Sequence, residues 1–430
     1  MRSPDARWAG WVVGLSVLSG CFALGRGGAQ PEPPFPDRAP AFELEVAARA
    51  DASGAQTLDV WMTLPSRGVA AASAASPIRW TTEVLALPEG RELHEVSWVE
   101  TSPPERGWIE RSFEVVPGRL VVAVTAEVEA TGDVSTVRRE LLVAGVSDSL
   151  VVQGVRLERG GGSSWRPLIS RTMEARGDSL RIRAQAIRSR GQVARLQLDR
   201  LTLDDGIARP LPDAAAPPQP AAGGAERLSS WSDSLESDLA DLEGTVAPLR
   251  PGVYRARAEV DRSRQERVVV VRRAGFPAVE RVGDLIGPLA YIATDAEVRA
   301  LTARRDPYLQ RRAFDRFWGD RLADRREAAA VVRAFSDRVE EANARFSTHK
   351  DGWKTDPGMV LILFGTPQRI DRSPEREEWI YTAGPVAGVS VSFERAEGPG
   401  PFPTWTAQRS PAYEVAWERA RRAWRRGDVR

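Results

Sequence analysis

Residues 352–367 read Gly-Trp-Lys-Thr-Asp-Pro-Gly-Met-Val-Leu-Ile-Leu-Phe-Gly-Thr-Pro, and the residue pattern differs on the two sides of this stretch. Before it, residues 324–346 place apolar side chains at helical spacing, which predicts an amphipathic helix. Within and after it, Met359–Phe364 is a continuous apolar run, while Glu377–Tyr381 and Val389–Phe393 are rich in branched and aromatic residues. We therefore expect three strands here, and a helical segment packed with a small antiparallel sheet.

Other helix signals flank this region. Thr294 and Glu297 have the spacing of a capping box, and Asp306-Pro307 is typical of a helix start. Ser410-Pro411 predicts a helix that runs to about residue 426. One face of that helix carries an apolar stripe made of Tyr413, Trp417, Ala420 and Trp424. With its flanking arginines the stripe suits a membrane interface or a partner, but packing on its own domain is the favoured interpretation.

The polar part of the opening stretch is interpreted as structural. Asp356-Pro357-Gly358 has the residue types of a tight turn, in which Pro fixes φ and Gly adopts a positive φ. The Asp carboxylate can accept a backbone N–H two residues further on. Trp353 is expected to cover the junction between helix and sheet, with its ring buried and its indole N–H bound to an acceptor.

The pentapeptide Gly352-Trp353-Lys354-Thr355-Asp356 resembles the motif after which the GWxTD domain, a family of bacterial envelope proteins, is named. The resemblance covers about residues 284–395 and implies a fold and an envelope location. It implies no activity, because the family has no established biochemical activity. An arginine commonly follows the aspartate in the family, whereas Pro357 stands there in this chain. The candidate binding or structural positions are Gly352, Trp353, Thr355, Asp356, Gly358, Phe364, Gly365, Pro367, Trp379 and Tyr381.

A second, more local resemblance concerns the segments that follow. Gly365-Thr366-Pro367, Trp379-Ile380-Tyr381 and Phe393 are similar to the small outer-membrane lipoproteins of the SmpA/BamE type, which assist the assembly of outer-membrane barrels. This similarity implies a small α+β sheet and gives only weak support to a shared role.

Strand-like segments dominate the chain before residue 280. Residues 42–46, 57–64, 80–87, 92–99, 109–116, 120–126 and 136–143 predict an antiparallel sandwich over 41–149. Residues 151–157, 179–187, 192–203, 252–260 and 266–271 predict a second sandwich over 150–278, interrupted by an insertion at 204–226 that we expect to be disordered. The predicted fold class is multidomain α+β: two antiparallel, immunoglobulin-like β-sandwich modules, then an α+β domain over 284–430 with a C-terminal amphipathic helix.

The N-terminal residues predict where the protein resides. Arg2 and Arg7 precede an apolar run from Trp8 to Leu18, which is shorter than the about 20 residues that span a bilayer. Leu18-Ser19-Gly20-Cys21 resembles the lipobox of bacterial lipoprotein signal peptides, which implies removal of residues 1–20 and a lipid on Cys21. Residues 21–40 then form a flexible Pro/Gly tether. An ordinary secretory signal is the alternative.

No catalytic, metal or cofactor signature emerges from the sequence. The 430 residues carry 60 basic and 59 acidic side chains, a formal net charge of +1, which argues against nucleic-acid binding. His349, Asp351 and Asp356 do not have the spacing of a helical zinc site, so we expect neither metal nor cofactor. Ser347-Thr348-His349-Lys350 fits the Ser-x-x-Lys motif of penicillin-binding proteins but lacks a convincing Lys-Thr-Gly partner.

The sequence therefore favours a lipid-anchored, non-enzymatic envelope protein that binds or scaffolds another envelope protein. Phe22 stands after Cys21, where an aspartate would favour the inner membrane, so we expect the outer membrane, with the protein facing the periplasm or the cell surface. Two alternatives remain open. One is a periplasmic hydrolase that uses the Ser347–Asp356 segment, and the other is a polysaccharide-binding sandwich with an exposed row of Trp61, Trp98 or Trp108.

Overall fold

The computed structural model describes residues 42–63, 77–101, 107–130, 132–145, 150–170, 172–187, 190–203, 205–209, 224–303, 306–322, 324–373, 375–396 and 404–429. Cys21, the lipobox around it and the predicted tether lie outside these residues. Within the described ranges, no helix combines the length and the apolar character that crossing a membrane requires.

Alternating apolar residues build the first sandwich. One sheet has the order β1-β2-β5, formed by β1 (Glu43–Ala50), β2 (Gln56–Thr63) and β5 (Ile109–Val115). The facing sheet has the order β4-β3-β6-β7, formed by β3 (Ile78–Ala86), β4 (Arg91–Glu100), β6 (Gly118–Val128) and β7 (Asp133–Val143). Every second residue of β3 is buried, as the period of a half-buried strand requires. The seven predicted strands and the antiparallel sandwich are confirmed.

The second sandwich contains more strands than the sequence predicts. One sheet has the order β14-β11-β8-β9, formed by β8 (Val151–Gly161), β9 (Ser164–Pro167), β11 (Ser179–Ile187) and β14 (Leu239–Val246). The other has the order β10-β16-β15-β12-β13, formed by β10 (Thr172–Glu174), β12 (Val193–Leu201), β13 (Ala225–Ser234), β15 (Gly252–Val260) and β16 (Ser263–Arg272). All of these pairings are antiparallel except that β10 runs parallel to β16.

The insertion predicted at residues 204–226 is shorter than expected at both ends. Residues 225 and 226 already belong to β13, which pairs with β12 across Leu201 and Arg200. Residues 205–209 lie against the C-terminal domain, and residue 204 and residues 210–223 are outside the described ranges. The low-complexity composition concealed the two flanking segments, because neither has a periodic apolar pattern of its own.

Buried amides join the two sandwiches. Gln153 Nε2 donates to Gln56 Oε1 over 3.1 Å, and Gln153 Oε1 accepts the N–H of Ala144 over 3.1 Å. The amide of Gln185 bonds both the N–H and the C=O of Ala50, at 2.6 and 3.0 Å. Since buried polar groups are costly without partners, this paired set holds the modules in one arrangement.

The C-terminal domain packs helices around a four-stranded antiparallel sheet of order β17-β18-β19-β20. Its strands are β17 (Arg369–Arg372), β18 (Arg376–Tyr381), β19 (Val389–Ala396) and β20 (Thr404–Ala407). Its helices are α1 (Gly283–Ile286), α2 (Asp295–Thr302), α3 (Pro307–Gly319), α4 (Arg325–Phe346), α5 (Asp356–Phe364) and α6 (Pro411–Arg426). The apolar stripe of α6 is buried in the core, which confirms the favoured interpretation of that helix.

The strand predicted at Met359–Phe364 is wrong, since these residues form most of α5. Every residue from Pro357 to Phe364 is buried. A helix surrounded by core on all sides is apolar all round, so it has no helical period that would distinguish it from a buried strand.

A network of two arginines and one carboxylate fastens α2 to α6. Glu297 forms the predicted capping box with Thr294 at the start of α2. Its carboxylate also accepts from Arg425 NH1 over 2.8 Å and pairs with Arg321. The hydrogen bond from Arg425, together with the one from the Thr294 backbone and the two positive charges, outweighs partial burial and lowers the pKa of Glu297 to about 2.

Glu297→Gln is expected to remove acid-sensitive stability from this domain. Because the folded pKa lies below the ordinary value of 4.5, the ionised carboxylate stabilises the fold above about pH 4.5, and this contribution is lost as the pH falls toward 2. The variant should lose about 1 kcal/mol at pH 7, with a difference from wild type that shrinks toward pH 2. Urea unfolding at several pH values measures this, with the exposed Glu92→Gln as control. A difference that does not change with pH would contradict it.

Candidate functional site

The threonine of the pentapeptide caps helix α5. Thr355 has an extended backbone, and its Oγ1 accepts the N–H of Gly358 over 3.2 Å. The same hydroxyl donates to the carbonyl of Gly352 over 2.7 Å. The tight turn predicted at Asp356-Pro357-Gly358 is therefore wrong, because these residues are the first turn of a helix. Thr at the N-cap and Pro in the first turn are the usual signals of such a start.

Two glycines allow the chain to pack closely around this cap. A Cβ at Gly352 would lie 1.9 Å from the carbonyl oxygen of Ala342 in α4. A Cβ at Gly358 would lie 1.9 Å from the carbonyl oxygen of Gly352. Both separations are far below contact distance, so only glycine allows backbone to lie on backbone at these positions.

The aspartate of the pentapeptide joins α5 to the edge strand β20. Asp356 Oδ2 accepts the N–H of Ala407 over 2.7 Å, and Oδ1 accepts from Arg409 NH2 over 2.9 Å. Both charged side chains are largely buried, at 11% exposure for the aspartate and 15% for the arginine. A carboxylate in the first turn also interacts favourably with the helix dipole. Asp356 thus has a structural role that the sequence could not specify.

Trp353 is half-buried and fixed by its backbone. Its N–H donates to Asn343 Oδ1 over 3.2 Å, and its carbonyl accepts from the hydroxyl of Tyr291 over 2.7 Å. The Tyr291 and Trp353 rings meet edge to face with centroids 6.3 Å apart. Burial, with a smaller contribution from the nearby Asp356 charge, raises the pKa of Tyr291 well above its ordinary value, so the hydroxyl stays a donor. The contacts of Trp353 are with the segment around Tyr291 and with α4 rather than with the sheet, and its ring is only partly covered.

A buried arginine of the second sandwich holds the segment before the pentapeptide. Arg272, the last residue of β16, is 7% exposed and donates to Asp351 Oδ1 over 2.8 Å. It also donates to the carbonyls of Thr348 and Lys350. Burial lowers the pKa of Arg272, and the Asp351 charge acts against that effect. Removing Asp351, which is itself 36% exposed, would leave the buried Arg272 without its counter-charge, which makes this contact a fixed link between the modules.

The two lysines of the chain fasten residues 205–209 to the same place. Lys354 Nζ forms an ion pair with Asp205, and Lys350 Nζ donates to the carbonyl of Gly206 over 2.9 Å. The N–H of Ala208 donates to the carbonyl of Lys354 over 2.9 Å, and Ala208 is buried in the C-terminal core. Both lysines therefore serve the junction between the second sandwich and the C-terminal domain.

The remaining predicted positions lie toward the other end of α5 or in the sheet. Phe364, Gly365 and Pro367 follow one another at its carboxyl end, where the Tyr381 hydroxyl donates to the Gly365 carbonyl over 3.1 Å. Trp379 lies elsewhere in the core and packs on other rings, those of Phe346 and Phe393. A helix of nine residues is about 13 Å long, so Trp353 and Phe364 do not share one junction. Trp379 and Tyr381 are fully buried.

The candidate catalytic groups do not converge. Ser347 Oγ donates to the carbonyl of Asn343 over 2.7 Å and accepts the N–H of Gly352 over 2.8 Å. Lys350, which a Ser-x-x-Lys pair would place on this hydroxyl, reaches Gly206 instead. Asp351 and Asp356 bind two different arginines. Among the described residues, no group of three His, Cys, Asp or Glu side chains is placed to hold a metal ion.

The aromatic row expected of a polysaccharide-binding sandwich is not formed. Trp61 is 6% exposed and packs on Ala47 and Ile169. Trp98 stacks on Trp80 at 6.4 Å between ring centroids and lies under the guanidinium of Arg111. Trp61 and Trp98 also belong to opposite sheets, and Trp108 packs beside Trp61.

Comparison with protein families decides the identity of the C-terminal region. The family described as the GWxTD domain matches residues 252–426, from β15 to the end of α6. This chain contains a GWxTD domain. The match is wider than residues 284–395, because it includes the two strands of the second sandwich that end at Arg272. The link between β16 and the pentapeptide thus falls inside the GWxTD domain.

No curated protein matches the chain. Among solved structures it is similar to red sea bream transglutaminase, with 10% identity, 54% of this chain and 31% of that chain covered, and a TM-score of 0.18. It is also similar to α2-macroglobulin from Escherichia coli, with 11% identity, coverages of 55% and 17%, and a TM-score of 0.20. A mutant of Salmonella α2-macroglobulin gives 12% identity, coverages of 57% and 17%, and a TM-score of 0.21. The chain spans less than a third of the length of each of these proteins.

Sequence reasoning missed the partners of the motif. Asp205, Arg272 and Arg409 lie 149, 79 and 53 residues from the groups they bind. An arginine at the end of a strand is common in a chain that uses arginine for almost all of its basic residues, so it carries no distinguishing signal. The one available signal was the placement of both lysines of the sequence, Lys350 just before the pentapeptide and Lys354 within it.

Gly352→Ala is expected to destabilise the GWxTD domain strongly. The new Cβ must push α4 and the pentapeptide apart, which should cost about 2 to 3 kcal/mol or prevent folding of the domain. Gly319→Ala is the matched control, because a Cβ there meets no atom within 4 Å. Urea unfolding followed by tryptophan fluorescence compares the two, and equal stability of both variants would show that the close packing is not required.

Proposed function

We propose that this GWxTD-domain protein is a lipid-anchored, non-enzymatic component of the bacterial envelope that binds or spaces another envelope protein at the outer membrane. The observation that carries the proposal is that the pentapeptide binds groups of its own chain: Thr355 caps α5, Asp356 holds β20 and Lys354 holds Asp205. Side chains that are already bonded to their own chain are better suited to holding structural modules together than to catalysis.

Continuity of the three modules supports a scaffolding role. The first two are joined by the buried amides of Gln56, Gln153 and Gln185, and by Arg267, which pairs with Glu45 across the same boundary. The second and third are joined by Arg272 and by residues 205–209. Paired buried contacts of this kind resist reorientation, so a partner bound on one module would be held at a set distance from the other modules.

Location is the second part of the proposal and rests on the N-terminal sequence. A lipid on Cys21 would attach the protein to a membrane through the Pro/Gly segment of residues 21–40. As a flexible coil, a segment of that length reaches on the order of 25 Å. The folded modules would therefore work near the membrane surface.

The hydrolase alternative has less support from the geometry. The hydroxyl of Ser347 bonds the backbone of Asn343 and Gly352, and no side-chain base bonds it within the described part of the chain. A nucleophilic serine needs a base within hydrogen-bond reach. The polysaccharide alternative is weakened in the same way by the burial of Trp61 and the stacking of Trp98.

Cys21→Ser is expected to abolish lipidation of the protein. The serine hydroxyl cannot form the thioether to the lipid, so the variant should accumulate as a soluble or uncleaved product. Fractionation of envelopes and mass spectrometry of the N-terminal peptide measure both effects. Ser19→Ala, which keeps a small residue before the cleavage point, is the matched control and should remain lipidated. Unchanged fractionation of Cys21→Ser, with no lipid on the wild-type N-terminus, would contradict the proposal.

A further inference from the structure

A cavity of about 250 Å³ opens at the carboxyl end of helix α5, at the opposite end from the pentapeptide. Its wall is mixed. Residues 365–366 and 383–385 line it, together with the apolar residues Val386, Ala420, Ala423 and Val429. Among the described residues that line it, Arg338 of α4 is the one cation.

Arg338 is held in place by groups that do not neutralise it fully. Its NH1 donates to the carbonyls of Ile362 and Leu363, at 3.1 and 3.5 Å, and its guanidinium lies 4.9 Å from the centre of the Trp424 ring. Within the described ranges, no carboxylate forms an ion pair with Arg338. Burial lowers the pKa of the Arg338 guanidinium, and the nearby Tyr381 and Glu341 act against that effect.

The carbonyls at the end of a helix carry about half a negative charge in total. They offset about half of the guanidinium charge and leave a net positive potential at the cavity. The Nε and NH2 groups of Arg338 make no hydrogen bond with any described residue, so these donors remain available. A guanidinium edge of this kind matches the two oxygens of a carboxylate.

We propose that this cavity binds a small carboxylate, whose oxygens pair with the free edge of Arg338 and whose short carbon chain packs on the apolar wall. One guanidinium balances one negative charge, whereas a doubly charged phosphate would face the α5 carbonyls with insufficient neutralisation. The Thr366 hydroxyl, at the exposed rim, can donate to the same anion. The side-chain amide of Gln368 donates to the carbonyl of Thr366 and accepts the N–H of Thr382, so it helps to fix the wall of the cavity.

The carboxylate can belong to a free short-chain acid or to the C-terminus of a peptide, because both present the same group. The site is independent of the envelope role proposed above. It lies in the GWxTD domain, and its binding requires neither the lipid nor a protein partner.

Calorimetric titration of the full-length protein in detergent tests the proposal. The probes are sodium propionate, sodium phosphate, and N-acetyl-trialanine with a free or an amidated C-terminus, all at constant ionic strength in sodium chloride. Propionate or the free-acid peptide should bind saturably at one site, and phosphate should bind at least tenfold more weakly. Binding by the peptide acid but not by its amide would identify a peptide C-terminus as a source, and binding by propionate alone would identify a free acid.

Three variants make the result specific. Arg338→Met should weaken carboxylate binding at least tenfold. Ala423→Leu should abolish it by filling the cavity while leaving the bonds of Arg338 intact, so the proposal stays testable if loss of the arginine impairs folding. Arg422→Met, which removes an exposed cation from α6, should bind carboxylate as the wild type does.

Three results would overturn the proposal. The first is no saturable binding of either carboxylate beyond that of chloride. The second is equal affinity of wild type and Ala423→Leu, and the third is phosphate binding that is tighter than carboxylate binding.

Discussion

The structure of the GWxTD domain depends on a helix that is almost entirely buried. From Pro357 to Phe364 every residue of α5 is buried, so neither end of the helix can rely on solvent for its unpaired backbone groups. At the amino end, Thr355 supplies the cap and Asp356 adds charge that favours the dipole. At the carboxyl end, Trp424 Nε1 donates to the Leu363 carbonyl over 3.1 Å, and Arg338 donates to the same turn. The pentapeptide at one end, and Trp424 with Arg338 at the other, therefore both provide partners for backbone groups that the helix itself leaves unpaired.

The same segment also connects modules. The residues around the cap are held from outside the helical region by Arg272 of β16 and by residues 205–209. Gly352 is needed because the cap must lie directly on the backbone of α4. A change at the pentapeptide would thus disturb both the buried helix and the attachment of the second sandwich. In the function proposed above, the motif is a joint, and binding would take place on other surfaces, such as the cavity beside Arg338.

Much of the fold could be predicted, because strands with one buried face reveal themselves by alternation. Strand β3 of the first sandwich follows from such alternation, and the buried stripe of α6 follows from helical spacing. Helix α5 could not be predicted, since a continuous apolar run has no period, and β13 is mostly exposed and so lacks an apolar face. The sequence predicts only part of the site. The pentapeptide was recognised, but Arg409 and Asp205 bind it from positions that only the folded chain brings close.

The central claim is that the pentapeptide is the cap of a buried helix, and the hydroxyl of Thr355 is the atom on which that claim depends most directly. Replacing Thr355 by Val keeps the shape but leaves the Gly358 N–H without its acceptor, whereas Ser keeps the hydroxyl. Urea unfolding of the two variants should show a loss of about 2 kcal/mol for Thr355→Val and a much smaller loss for Thr355→Ser. Wild-type stability in Thr355→Val would contradict the account.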